Sequence, residues 1–406
     1  MSFSNSNLSR WWAIAAFTLY TALNFLDRQA FAALAPQIQS EFQLTNEQVG
    51  WIVAAFSMTY AICSPAVGLL IDRIGLSRGA MLTICVWSLA GVLTGFADGL
   101  GGLLVCRALL GAAEAGGIPA FAKASALYLE PKERALGTGL NQLGISAGSM
   151  AAPVLAAWLG SQAGWRATFM VAGLLGFFWI PLWKVVESRT RMREASAVDV
   201  RPAAPSEILR DHRFWSLLFA NMLIMTVYSL WTNWTTIFFV RTFGLSQQAA
   251  NQSYVWIPPV FATAGGLFGG WLVMRWMNQG RSVYEARSRA LVLGSLGLLV
   301  TAAAPYMPAA SWATVMISIS FFCTLIMSAN VYALPQDLFG GQRAAFAVAS
   351  MTFGYGLMQT FYSPFVGRWA DRYGFTPVCV GSAALPFFGW LLLRWTTFRP
   401  RSEAVR

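Results

Sequence analysis

The chain has 406 residues, of which 56% are hydrophobic, 14% aromatic and only 11% charged, against roughly 25% charged in an ordinary soluble domain. That composition excludes a soluble enzyme and leaves helices in lipid as the way to bury so much apolar surface. The net charge of +11 does not carry a nucleic-acid reading, because the basic residues form no patch with interleaved aromatics.

Taken in chain order, uncharged stretches cover residues 48–70, 79–97, 135–165, 167–183, 214–240, 242–274, 290–336, 344–367 and 373–393. Each holds one or two helices of roughly 20 residues, the length that crosses a bilayer. Dividing 290–336 at Pro305-Tyr306-Met307-Pro308, and adding the less pure stretches 11–36 and 101–128, predicts twelve spans. The expected fold class is therefore an all-α polytopic membrane protein. With both termini cytoplasmic, the inner segments collect Arg10, Arg73, Arg78, Lys132, Arg134, Lys184, the linker arginines, the loop cations Arg275, Arg281, Arg287, Arg289 and Arg343, and the tail arginines. The outer loops keep Arg166, Arg241, Arg368 and Arg372, so the positive-inside rule sets the orientation in the cell inner (plasma) membrane. No cleavable signal peptide is expected before the first span, which opens at Trp11-Trp12 and is too long for an h-region.

The longest polar stretch, 187–213, separates six spans from six. The expected organisation is an N-terminal bundle over 1–186, a cytoplasmic linker over 187–213 that acts as a tether, and a C-terminal bundle over 214–406, each built of inverted three-helix units. An internal repeat supports it. Ser64-Pro65-Ala66-Val67-Gly68, Asp72-Arg73 and Gly75 recur as Ser363-Pro364-Phe365-Val366-Gly367, Asp371-Arg372 and Gly374. Five scattered cysteines, 63, 85, 106, 323 and 379, read as small core residues. The single histidine, His212, falls in the basic linker and reads as a solvated loop residue.

These residues carry a resemblance. Gly68, Asp72-Arg73, Gly75 and Arg78 are similar to the loop signature between helices 2 and 3 of the major facilitator superfamily, whose twelve-span plan the chain also matches. Asn24-Phe25-Leu26-Asp27-Arg28, Arg107 to Glu114-Ala115, Pro119-Ala120 and Pro131-Lys132-Glu133-Arg134-Ala135 resemble the anion:cation symporters, especially the hexuronate and sugar-acid transporters. The resemblance implies proton-coupled import of a small anion, with Tyr60 at a substrate-binding position. Two departures stand out: Phe25 replaces a common Tyr, and Met274 replaces the usual Asp in the corresponding loop of the second half.

Only spans 1 and 4 carry charges away from their ends: Asp27 and Arg28, then Arg107, Glu114 and Lys123. Each such ion costs about 2.5 to 3.5 kcal/mol even on the mild insertion scale, which marks it as a functional candidate. Arg107 and Glu114, seven residues apart, lie within roughly 20° of one helix face, whereas Asp27 and Arg28 differ by about 100°. Arg28 and Arg107 are the substrate-binding candidates, Arg28 as the carboxylate fork and Arg107 as the partner of Asp27 or Glu114. Asp27 and Glu114 are the proton-coupling candidates. A bland alternative is a buried ion-pair cluster that only joins spans 1 and 4. Lys123 is expected to snorkel to the headgroups.

The second half offers no buried charge. Its candidates are polar and aromatic: Tyr228, Trp231, Asn233 and Trp234 on span 7, Asn330 and Tyr332 on span 10, and Tyr355 and Gln359 on span 11. Tyr60 and Asn141-Gln142 complete the substrate set. Asp72, Arg73, Arg78, Glu133 and Arg134 are the gating candidates at helix ends. Gly137, Gly139, Gly144 and Gly148 before Pro153 let span 5 approach a neighbour closely, and the run also resembles an antiporter signature. The reading is a monomeric proton-coupled organic-anion symporter whose partners are its anionic substrate and membrane lipid, with no metal or organic cofactor. An exchanger or exporter of the same fold is the alternative; a membrane-embedded enzyme or receptor lacks any supporting motif.

Overall fold

The computed structural model describes residues 4–130, 133–190 and 208–398. Most of the expected linker, and Pro131-Lys132 of the motif above, lie outside the described residues. Twelve helices run in sequence order: α1 (Ser4–Phe42), α2 (Asn46–Ile74), α3 (Leu76–Thr94), α4 (Leu100–Glu114 and Gly117–Tyr128), α5 (Arg134–Gln162) and α6 (Gly164–Arg189). There follow α7 (His212–Ile224 and Thr226–Phe243), α8 (Gln247–Ala250, a π turn Asn251–Val255, and Pro258–Asn278) and α9 (Val283–Gly297, then 3-10 to Tyr306). The last three are α10 (Ala310–Val331 and Leu334–Phe339), α11 (Gly341–Tyr373) and α12 (Phe375–Thr396). Ten are long and apolar enough to cross a membrane among the described residues. The other two, α1 and α11, are long enough but diluted, α1 by Asp27-Arg28 and α11 by Gln359, Ser363 and their polar neighbours.

Local signals explain the boundaries. Thr45 caps α2 by accepting from Gln48 N, and Gln48 returns a bond to the Thr45 amide, a capping box that satisfies two orphan groups of the first turn. Gly75 and Gly374, the last positions of the internal repeat, stop α2 and α11 at φ of +90° and +73°, where a Cβ would be strained. Ser282 and Asp211 cap α9 and the first segment of α7.

Contacts group the helices into two compact units. One contains α1 to α6 together with the Thr232–Ile257 and Gln359–Asp371 portions of α7, α8 and α11. Its core is aromatic: Trp179 and Trp183 stack 5.6 Å apart, Phe17 packs edge-on against both, Tyr20 tilts against Trp179, and Trp87 meets Tyr20 edge-on. Three of these rings bond a neighbouring helix as they are buried. Trp179 donates to the Ala16 carbonyl (2.7 Å), Trp183 to Ser77 (2.9 Å), and Tyr20 bonds Thr83 (2.6 Å), so α1, α3 and α6 are tied, while Trp87 Nε1 is buried without a hydrogen-bond partner. Gly144 and Gly148 lie so near the Thr18 and Ala22 carbonyls that a Cβ would collide with them, and Gly111 meets Phe56 the same way. These glycines bring α5 against α1 and α4 against α2.

The other unit contains Val200–Trp231, Pro258–Met358 and Arg372–Arg406. Gly265 and Gly269 seat α8 on α10 by the same device, with Phe322 and Ile326 at the contact. One expectation is corrected here. Arg287 lies a turn inside α9, half-buried, and donates to Asp337 of α10 (2.6 Å) and to Asn330 (3.2 Å). The second half therefore does hold a partly buried charge pair, and pairing is what lets these charges enter the helix ends.

Candidate functional site

The close approach of α1, α2 and α4 determines what the intramembrane charges meet. Arg28 Nε donates to Glu114 Oε2 at 3.2 Å, with the Glu114 side chain fully buried and that of Arg28 19% exposed. Three rings surround the Arg28 guanidinium: Phe25 and Tyr60 at 4.7 Å and Phe56 at 4.9 Å from their centroids. Arg107 stacks on Phe31 and on Phe56, again at 4.9 Å. Phe56 thus serves both guanidiniums at once, within the roughly 6 Å over which a ring attracts a cation.

The pairing differs from the sequence expectation. Glu114 is bonded to Arg28, while Arg107, expected to partner Asp27 or Glu114, has Nε and Nη1 buried without a hydrogen-bond partner. Asp27 is 3% exposed with Oδ2 likewise unbonded, as is Glu114 Oε1. The reason is steric: two residues in succession cannot take one direction, and Arg28 has the aromatic side of α1. Asn24, one turn earlier, accepts from Arg28 Nη2 at 3.5 Å. Glu114 ends the first segment of α4, where Ala115-Gly116 interrupts the helix, and Gly116 sits against Thr83 and Val67 of neighbouring helices.

The other candidates are described within their own units. Gln142 is half-buried on α5, beside Asn141, whose Oδ1 accepts from Thr21 at 2.7 Å. In the first unit Asn233 is half-buried and Trp234 buried, and Gln359 Oε1 accepts from Ser57 at 2.9 Å. In the second, Trp231 is buried, Tyr355 stands 6.5 Å from Tyr228, and Asn330 is held by Arg287 and by its own helix at the Ile326 carbonyl.

Helix-end residues divide in the same way. Asp72 takes Lys123 Nζ at 2.8 Å, and the same Nζ caps the Ile71 carbonyl at 3.0 Å. Lys123 therefore closes the C-terminus of α2, where a cation complements the helix dipole, instead of snorkelling. Arg73, Arg78 and Arg134 are exposed, whereas Glu133 receives Arg10 at 2.8 Å. The repeat-mate of Asp72 has another partner: Asp371 accepts from Asn46 Nδ2 (2.8 Å) and from the Asn46 and Glu47 amides (3.2 and 3.0 Å), and so caps α2 at its first turn. Glu47 in turn pairs with Arg368.

Sequence reasoning missed Phe56 and Phe31. Their helical spacing reads as packing, and only the neighbouring arginines give them another role. Asp371 was legible, since the repeat names it.

The sequence model of the Major Facilitator Superfamily matches residues 17–363. The chain is 28% identical over 415 residues to the hexuronate transporter of Escherichia coli (strain K12), covering 96% of this chain and 94% of that one. It is 29% identical over 305 residues to the galacturonate transporter of Dickeya chrysanthemi, covering 71% and 88% respectively. Among solved structures, a bacterial homologue of the human lysosomal transporter Spinster superposes with a TM-score of 0.73 at 20% identity, over 95% of this chain and 94% of that one.

Proposed function

The chain belongs to the Major Facilitator Superfamily, and from that premise we propose that it is a proton-coupled symporter importing a hexuronate or related sugar acid by alternating access. It is a multi-pass membrane transporter related to sugar-acid carriers, and not an enzyme. The observation that carries the proposal is the pair of guanidiniums on one ring, of which only Arg28 is ion-paired. A carboxylate suits such a site, because a fork of N–H donors receives both of its oxygens.

In this reading Arg28 and Arg107 bind the substrate carboxylate, and Tyr60, Gln142, Trp231, Asn233, Trp234, Asn330, Tyr355 and Gln359 receive its hydroxyls and ring faces. A substrate that takes Arg28 displaces Glu114. A carboxyl that loses its cationic partner in an apolar site binds a proton more readily, so substrate and proton load together, with Asp27 as the second carrier. The structural alternative, a buried cluster that only joins helices, is disfavoured by the polar atoms left unbonded on Asp27, Arg107 and Glu114. The remaining assignments belong to the same proposal. Both termini are cytoplasmic; bundles 1–186 and 214–406 move about the 187–213 tether. Asp72, Arg73, Arg78, Glu133 and Arg134 exchange partners between states, and the carrier works as a monomer.

The test is a thermal-shift screen of the purified protein against uronates, aldonates and aromatic acids. A ligand at 100 times its Kd stabilises the folded state by about 2.7 kcal/mol, and a sugar acid is expected to do so. Arg28→Lys is expected to weaken that ligand at least about tenfold; equal affinity in the variant refutes the bidentate role.

A further inference from the structure

Within the second unit, a cavity of about 1300 Å³ opens among the ends of α7, α9, α10 and α12. That exceeds the roughly 300 to 1,000 Å³ of an ordinary small-molecule site. Arg213, Arg289 and Arg394 line it against a single lining carboxylate, Glu285. Glu285 is already shared, since Oε1 takes Arg281 at 2.7 Å and Arg289 at 2.9 Å. Arg213 is matched by Asp211, but Arg394 has no ion pair among the described residues and rests 5.5 Å from the Trp390 ring. The walls are therefore positive on balance. Two helix N-termini, those of α7 at His212 and α9 at Val283, also open on the cavity and add their partial positive charge.

The rim has a second character. Trp395 is 57% and Tyr284 37% exposed, the residue types that settle at the headgroup level of a bilayer. Phe388, 53% exposed, lies seven residues before Trp395 on α12, so both fall within roughly 20° of one helix face. An apolar track thus leads along the outside of α12 into a basic cavity.

We propose that this cavity binds the phosphate headgroup of an anionic phospholipid of the phosphatidylglycerol kind, with its acyl chains along the α12 face. Basic pockets between helix ends at the membrane surface recognise such headgroups. The proposal depends on the chain spanning a membrane and is independent of the transported substrate; with the termini cytoplasmic, the lipid belongs to the inner leaflet. A free phosphate would satisfy the same guanidiniums but would gain nothing from the aromatic rim and apolar track.

The experiment is native mass spectrometry of the full chain in detergent, titrated with dioleoyl phosphatidylglycerol or dioleoyl phosphatidylcholine, with 10 mM inorganic phosphate as a competing arm. Phosphatidylglycerol is expected to bind at least about tenfold more tightly than phosphatidylcholine. At about one kilocalorie per basic residue near the surface, Arg394→Gln is expected to weaken it about fivefold, and Arg289→Gln with Arg394→Gln about thirtyfold. Arg394→Lys should recover most of the loss, because lysine still offers a point charge to phosphate. Arg394 has no acidic partner to orphan among the described residues, so the single variant remains informative where the double variant fails to fold. Equal affinity for the two lipids, wild-type affinity in Arg394→Gln, or full displacement by inorganic phosphate would overturn the proposal.

Discussion

Replacing Phe56 by Leu isolates what one ring contributes to two arginines. The ring centroid lies 4.9 Å from the guanidinium carbons of both Arg28 and Arg107. Each such contact contributes about 0.5 to 1 kcal/mol, more where water is excluded, so the pair represents about 1 to 2 kcal/mol. Leucine keeps most of the apolar bulk of a side chain that is 5% exposed but removes the one π face that the two guanidiniums share. Arg28 keeps Phe25 and Tyr60 and Arg107 keeps Phe31, but each guanidinium loses the face they share, and in the proposed site that loss weakens their hold on a carboxylate. The affinity of the best sugar acid is expected to fall about 5- to 30-fold, since 1.4 kcal/mol is a factor of ten. Isothermal titration of wild type, Phe56→Leu and Phe31→Leu makes the comparison, because Phe31 stacks on Arg107 alone and its variant should lose about half as much in free energy. Wild-type affinity in Phe56→Leu, with the protein folded, would show that the ring does not organise the site.

Two further outcomes follow from packing and capping. Gly148→Val should destabilise the protein by at least about 1 to 3 kcal/mol, because its side chain meets the Ala22 carbonyl and the Leu26 amide of α1. Gly139→Ala, on the same helix but facing open space, should be neutral or stabilising by up to about 1 kcal/mol; denaturation midpoints in one detergent compare them. Asp211 accepts from the Arg213 amide and guanidinium, and these bonds hold its carboxyl below the usual carboxylate range. Its stabilisation is thus complete above the unfolded value near pH 4 and disappears as the pH falls through the lowered folded value. Asp211→Ala should cost about 1 kcal/mol at pH 7, with the gap to wild type closing as the pH falls below the unfolded carboxylate value and through the lowered folded one.

The sequence carries the helices and the charged residues of the first-half candidate site, because both are written in local pattern. Uncharged stretches give the spans, and an ion at mid-span is costly enough to be conspicuous, which singles out Asp27, Arg28, Arg107 and Glu114. The repeat pairs Asp72 with Asp371 before any coordinates, and Gly75 and Gly374 end the two copies with the same positive φ. Partner choice is another matter, since it depends on helix rotation and depth. Whether Glu114 meets Arg28 or Arg107 turns on which side of α1 faces α4. Lys123 reaches Asp72 and the Ile71 carbonyl because α2 ends beside it, a relation between helix ends with no local signature. Arg287 reads as a loop cation from charge alone, until the start of α9 at Val283 puts it within reach of Asp337.

In the proposed mechanism Glu114 couples proton to substrate, and transport by Glu114→Gln in proteoliposomes tests that coupling. Glutamine keeps an oxygen to accept from Arg28 but cannot titrate, so it mimics the permanently protonated carrier. The loaded form can still reorient, and exchange of labelled for unlabelled substrate is expected to persist. The empty carrier cannot release a proton on the inside, and net accumulation driven by a pH gradient is expected to fail. With the membrane potential clamped, one pH unit supports about tenfold accumulation for each proton carried, because 1.36 kcal/mol is one pH unit; in the variant the ratio should fall to about one. Counterflow retained with accumulation lost is the predicted result, and pH-driven accumulation equal to that of wild type would contradict the account.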